Sequence, residues 1–168
     1  MKDKTILWCL KRKKGIRVIQ PNENLTNAYL KKAISALNTM NVALQIKETE
    51  WITTTAYYAR YFALYALLMK MGIKSEIHDC SIAIAKMLAE KGILSENLVN
   101  DIATSKQIRI DTQYYVEREL NQTEIKRNVE NARKFVLEVE KVIENLTHHQ
   151  IETIRHHIGK LQTFTTPK

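Results

Sequence analysis

Beyond residue 22, apolar side chains recur at intervals of three and four, the spacing of one face of a helix. Leu30, Ile34, Leu37, Met40 and Leu44 make the first such stripe, and Asn22 or Asn24 before it suits an N-cap. The stretch 50–71 is different. Trp51, Tyr57, Tyr58, Tyr61, Phe62, Leu64, Tyr65, Leu67, Leu68 and Met69 cover nearly every side of it. A helix apolar all round is central, with neighbours on several faces. Thr49 is the expected cap at its start, and Gly72 stops it in the left-handed conformation that glycine adopts without strain. A third helix over about 77–91, with Ile82, Ala85, Met87 and Leu88, ends at Gly92.

Ser95 caps a fourth helix running through Leu98, Val99, Ile102, Ile108 and Ile110 towards Tyr114 and Tyr115. Asn121 or Thr123 opens a fifth. In it Ile125, Val129, Ala132, Val136, Val139, Ile143 and Leu146 form a strict seam of the kind helix bundles use. The seam resumes at Ile151, Ile154, Ile158 and Leu161, as a continuation or a kinked appendix. Before all this, residues 16–19 read as a short extended piece.

Composition agrees with the pattern. The chain has 168 residues, one domain's worth, with only four glycines and two prolines. Sheet proteins use these residues in turns, so a large β fold is excluded. The reading is an all-α, antiparallel up-and-down bundle of about five helices with a short basic N-terminal arm. It divides into the arm (1–21), the bundle (22–146) and a C-terminal helical extension and tail (147–168). The net charge of +8 is uneven: residues 1–17 hold seven bases against one acid, and the rest is close to neutral. Lys11, Arg12, Lys13, Lys14 and Arg17 therefore form a local patch for an acidic partner or a phosphate backbone. The longest uncharged apolar run, 61–69, is too short to span a membrane. Cys9 and Cys80 suggest no framework or metal spacing, Cys9 reads as an incidental thiol, and the expected setting is a cytoplasm with reduced thiols.

Few residues carry chemistry. Four isolated glycines give no phosphate loop, and no nucleophile elbow is present. His148, Glu152 and His156 lie four apart on one helix face, chemically a ligand set, but with no fourth ligand they read as a solvated face and no metal is assigned. Arg109, Asp111, Tyr114 and Tyr115 interrupt the apolar pattern, and His78 follows the Gly72 turn. An arginine and an aspartate two apart can hold each other or aim at a phosphate or a base. Arg109, Asp111, Tyr115 and His78 are the binding candidates, against the alternative of a buried polar network.

The segment Ala56-Tyr57-Tyr58-Ala59-Arg60-Tyr61, continued by Ala66-Leu67-Leu68, then Gly72 and His78, resembles the HEPN family, the higher-eukaryote and prokaryote nucleotide-binding domains. Its small stand-alone members share this aromatic helix, glycine turn and histidine. Arg109, Asp111 and Tyr114–Tyr115 are similar to the family's third element, and the resemblance covers about 24–146. It implies a bundle of about five helices, usually a homodimer. It also implies pairing with a minimal nucleotidyltransferase in toxin–antitoxin modules, or metal-independent ribonuclease activity.

Catalytic members carry Arg followed by His after four to six residues. No arginine here does: Arg60 reaches Tyr65, Ala66 and Leu67 at those positions, and Arg109 reaches Tyr114, Tyr115 and Val116. A phenol titrating near 10 replaces imidazole poorly at neutral pH. The expected function is thus a non-catalytic module, without cofactor, that binds a nucleotide, RNA or a nucleotidyltransferase partner as a homodimer. Its shared surface is expected near Tyr57, Tyr61 or Tyr65. The alternatives are a ribonuclease built on Arg109, Asp111 and Tyr114 or His78, and a structural dimerisation module.

Overall fold

In the computed structural model, which describes residues 4–115, 117 and 119–163, the elements are α1 (Lys4–Leu10), β1 (Arg17–Val18), α2 (Glu23–Gln45), α3 (Thr49–Met71), β2 (Ile73–Lys74), α4 (His78–Glu90), α5 (Glu96–Tyr114), α6 (Gln122–Asn145) and α7 (His148–Thr163). The first three residues of the basic arm and the last five of the tail lie outside the described residues. The fold is all-α apart from one small antiparallel pair, Arg17 opposite Lys74 and Val18 opposite Ile73.

The central helix is α3, packed against α2, α4, α5, α6 and α7. Tyr57, Leu64, Leu67 and Leu68 are completely buried, and Tyr61 and Tyr65 nearly so. Each such leucine is worth roughly 2–5 kcal/mol against alanine. The tyrosines expected at a shared surface are thus enclosed within a single chain.

Against α3, helix α2 lays Ala33, Ala36, Met40 and Ala43, whereas Ile34 and Leu44 of the expected stripe stand exposed. Alanine has little side chain to bury, but it lets two backbones approach, so the face joins these alanines to Leu30, Leu37 and Met40 of the expected stripe.

Caps were largely legible. Asn22, Ser95 and Asn121 accept from the backbone N–H groups of Leu25, Leu98 and Glu124, and Glu124 returns the bond in a capping box. Thr49 is instead the first helical residue of α3, whose N-cap Glu48 makes no side-chain bond. Gly72 sits at φ 69°. A side chain there would strike the Arg155 guanidinium and the Ile19 carbonyl.

Seven helices form among the described residues, against about five expected, and the difference lies at the two ends. Helix α1 is seven residues long, too short to show a period. It is nevertheless fixed in place: Ile6, Cys9 and Ile16 are buried, and Cys9 is disulfide-bonded to Cys80 on α4. The readings of Cys9 as an incidental thiol and of both thiols as reduced are corrected by that bond. Helix α7 is a separate element, because Thr147 closes its own cap with Gln150. Its Arg155 donates to the carbonyls of Ile19, Met71 and Gly72, holding β1 against the end of α3. Among the described residues no helix is long and apolar enough to cross a membrane.

Candidate functional site

The inner end of the site comes from α3, where Tyr57, Tyr58 and Tyr61 fall on adjoining faces one turn apart. Opposite them, α4 starts three residues after the buried Ser75, and its first residue is His78. The His78 ring lies flat on Tyr61, with centroids 3.9 Å apart and planes 9° apart. Tyr57 Oη and His78 Nδ1 are 2.6 Å apart. Burial above all raises the Tyr57 pKa, so this phenol keeps its proton, and the direction of its bond with Nδ1 follows the imidazole tautomer.

Burial also lowers the His78 pKa, and the positive charges of Arg109 and Lys106 push the same way, with Asp79 opposing them. At neutral pH the imidazole is uncharged.

Arg109 comes from the penultimate turn of α5. Its guanidinium carbon stands 5.0 Å from the Tyr57 ring centroid and 5.8 Å from that of Tyr58. Its hydrogen bond is a long one, 3.5 Å from Nη1 to Tyr58 Oη. Nε is buried with no partner. Lys106, one turn earlier, pairs with Asp79 beside His78 and ties α4 to α5.

The other predicted residues separate. Asp111 does not touch Arg109: it accepts from Gln107 at 2.6 Å, because residues two apart on a helix point in different directions. Tyr114 and Tyr115 are exposed at the end of α5 and stand outside the cluster. The structure therefore brings together His78 and Arg109, and not Asp111 or Tyr115.

The basic residues of the arm reach the same end of the bundle. Glu76, two residues before His78, donates its N–H to the Lys14 carbonyl at 2.9 Å. Arg17 is spent on Glu76 at 2.7 Å, and Arg12 lies 4.4 Å over Trp8. Lys11, Lys13 and Lys14 are exposed. On α7, Glu152 pairs with Arg155 at 3.3 Å, and among the described residues no three His, Cys, Asp or Glu side chains converge as metal ligands.

Sequence reasoning missed the second arginine of the core. Arg60 on α3 is 1% exposed. Its Nε donates to Asp101 Oδ2 at 2.6 Å, and its two terminal nitrogens donate to the carbonyls of Ala56 and Asn128, each at 3.0 Å. A charged residue inside an otherwise apolar helix was the signal, since such a group must find a partner.

The family model described as HEPN domain matches residues 26–146, from the first turn of α2 to the end of α6. No curated protein matches the chain.

Proposed function

Since the chain belongs to the HEPN domain family, we propose that it is a non-catalytic module that binds a nucleotide or single-stranded RNA at the His78–Arg109 end of the bundle. The observation that carries this is Arg109. It holds a guanidinium fork over two tyrosine rings, with a buried Nε that has no acceptor. The terminal nitrogens hold only the one long bond to Tyr58, and a phosphate or a base edge supplies acceptors to them. The neutral His78 and Tyr58 offer flat faces for a base, and Lys11, Lys13 and Lys14 extend positive charge along a strand.

Catalysis is left out because a neutral His78 with its Nδ1 occupied, next to an unionised phenol, lacks the Arg-to-His spacing of the family's nucleases. Homodimerisation, and pairing with a nucleotidyltransferase in a toxin–antitoxin module, belong to the same proposal. Their surface is the outer side of α2, where Ile34 and Val42 are exposed, rather than the enclosed tyrosines. Light scattering tests the dimer, and a monomer at micromolar concentration counts against it.

The binding test is fluorescence anisotropy with a labelled single-stranded RNA of about twelve nucleotides. Arg109→Ala is expected to weaken binding about tenfold or more, with a melting temperature near that of the native chain. Equal affinity of the two proteins, or no binding by the native chain, overturns the assignment. Shortening of the RNA during the titration overturns its non-catalytic part.

A further inference from the structure

The central helix is closed on every side but one. Beyond its first turn, Thr55, Tyr58, Phe62 and Lys70 are the residues of α3 that escape full burial. Thr55, Tyr58 and Phe62 are three and four apart, so they share one face. Helix α2 flanks that face with Tyr29, which is also half-buried. The Tyr29 ring meets the enclosed Tyr65 edge-on, with centroids 4.6 Å apart. The three half-open rings follow one another at even steps. Tyr58 and Phe62 are 5.6 Å apart with planes at 28°, and Phe62 and Tyr29 are 6.3 Å apart with planes at 34°.

A cation stands at each end of this row. Arg109 lies over Tyr58 at one end. At the other, the exposed Lys32, one turn after Tyr29, holds its Nζ 5.5 Å from the Tyr29 centroid and 5.3 Å from that of Phe62. The one acid of α2, Glu23, is engaged by Lys70 at 2.7 Å, so Lys32 rests on rings rather than on a carboxylate. Its flexible stem lets the ammonium leave the rings for a stronger acceptor.

We propose that this face of α3 is a stacking track that carries a single strand of RNA away from the Arg109 site. Tyr58, Phe62 and Tyr29 take one base each, and Lys32 takes a phosphate at the far end. The proposal rests on the RNA reading of the Arg109 site and adds a length to it: a strand of three or more nucleotides is held better than a shorter one. Rings with a positive charge at each end complement flat bases strung on phosphates. An apolar protein surface laid over the same row would bury Lys32 and Arg109 without acceptors, and lysine is depleted from interface cores. Every base has a π face, so the track measures length rather than sequence.

The experiment is fluorescence anisotropy on the full chain with a labelled RNA dinucleotide and a labelled hexanucleotide. The native chain is expected to bind the hexanucleotide about tenfold more tightly or better. Phe62→Leu with Tyr29→Leu keeps apolar bulk and removes the π faces. It is expected to bring the hexanucleotide down to the dinucleotide's affinity and to leave the dinucleotide unchanged. Lys32→Gln is expected to weaken the hexanucleotide alone and to reduce the slope of log affinity against log salt by about 0.7. Equal native affinity for the two lengths overturns the track and leaves the Arg109 site standing, whereas binding of neither length overturns both. A hexanucleotide indifferent to the ring changes or to Lys32→Gln also overturns the track. So does a ring variant that loses both lengths alike at the native melting temperature. If the ring variant does not fold, Lys32→Gln decides alone.

Discussion

Two arginines, Arg60 on α3 and Arg109 on α5, meet the interior of the same bundle in opposite ways. Arg60 is enclosed, and its donors reach a carboxylate and two carbonyls. Burial lowers its pKa and Asp101 works against that, so the charge is held by a complete set of acceptors. Arg109 is half-buried and rests on aromatic faces, with one long bond and an unmatched Nε. The first arrangement is finished when the chain has folded. The second is finished only when something else arrives.

The surroundings differ in the same sense. Around Arg60 the bundle is closed by α3, α5 and α6. The Arg109 end depends on α4, whose first turn is fastened to α1 by the Cys9–Cys80 bond.

The sharpest test of the contrast is Arg60→Ala, which leaves Asp101 without its cation and a void in the core. We expect a loss of about 3–5 kcal/mol, measured by urea unfolding. Arg60→Met with Asp101→Leu should recover much of it, because removing both partners is milder than removing one. Next comes Cys80→Ser, which opens a loop of 71 residues. It should cost about 2–4 kcal/mol, and reducing agent should have the same effect on the native chain. Tyr57→Phe removes the hydrogen bond to His78 Nδ1 and should cost about 1 kcal/mol by the same assay.

How much of this was legible in the sequence follows from range. The caps at Asn22, Ser95 and Asn121, the stop at Gly72 and the enclosed character of α3 are written within a few residues of each other, and they read correctly. The Thr147–Gln150 cap was equally local and was overlooked, which left α7 open between a continuation of α6 and a kinked appendix. The face of α2 was read in part: Leu30, Leu37 and Met40 of the stripe pack on the core, but Ile34 and Leu44 do not, and the alanines that complete the contact carry too little side chain for the pattern to weigh. Cys9–Cys80 and Arg60–Asp101 join residues 71 and 41 apart, so no local pattern names the partner, although a charged Arg60 inside an apolar helix signals that one is needed. The site divides likewise. Arg109 was singled out as an interruption of an apolar helix and His78 by its place after the Gly72 turn, and both border the Tyr57 ring. The Arg109–Asp111 pairing failed on helical geometry, and Tyr57 and Tyr61 were assigned to a subunit interface rather than to the site.

A smaller effect separates the two regions by pH. His78 has its pKa lowered from an ordinary 6.5 in the fold, while the unfolded chain protonates near that value. Between the two pKa values the unfolded state binds more protons, so the stability that neutral His78 contributes is complete above about pH 6.5 and declines as pH falls below it. The melting temperature should drop between about pH 7.5 and pH 5.5, and the drop should be shallower in His78→Gln. Arg60→Met with Asp101→Leu should leave the slope from His78 in place.

The most direct measurement is the ¹⁵N–¹H spectrum of the arginine side chains during titration with the single-stranded RNA probe. The account predicts that the Arg109 Nε–H signal moves progressively and saturates as the fork gains acceptors, while the Arg60 Nε–H signal stays where Asp101 holds it. A static Arg109 signal in the presence of bound RNA, or a displaced Arg60 signal, would contradict the division of labour between the two arginines.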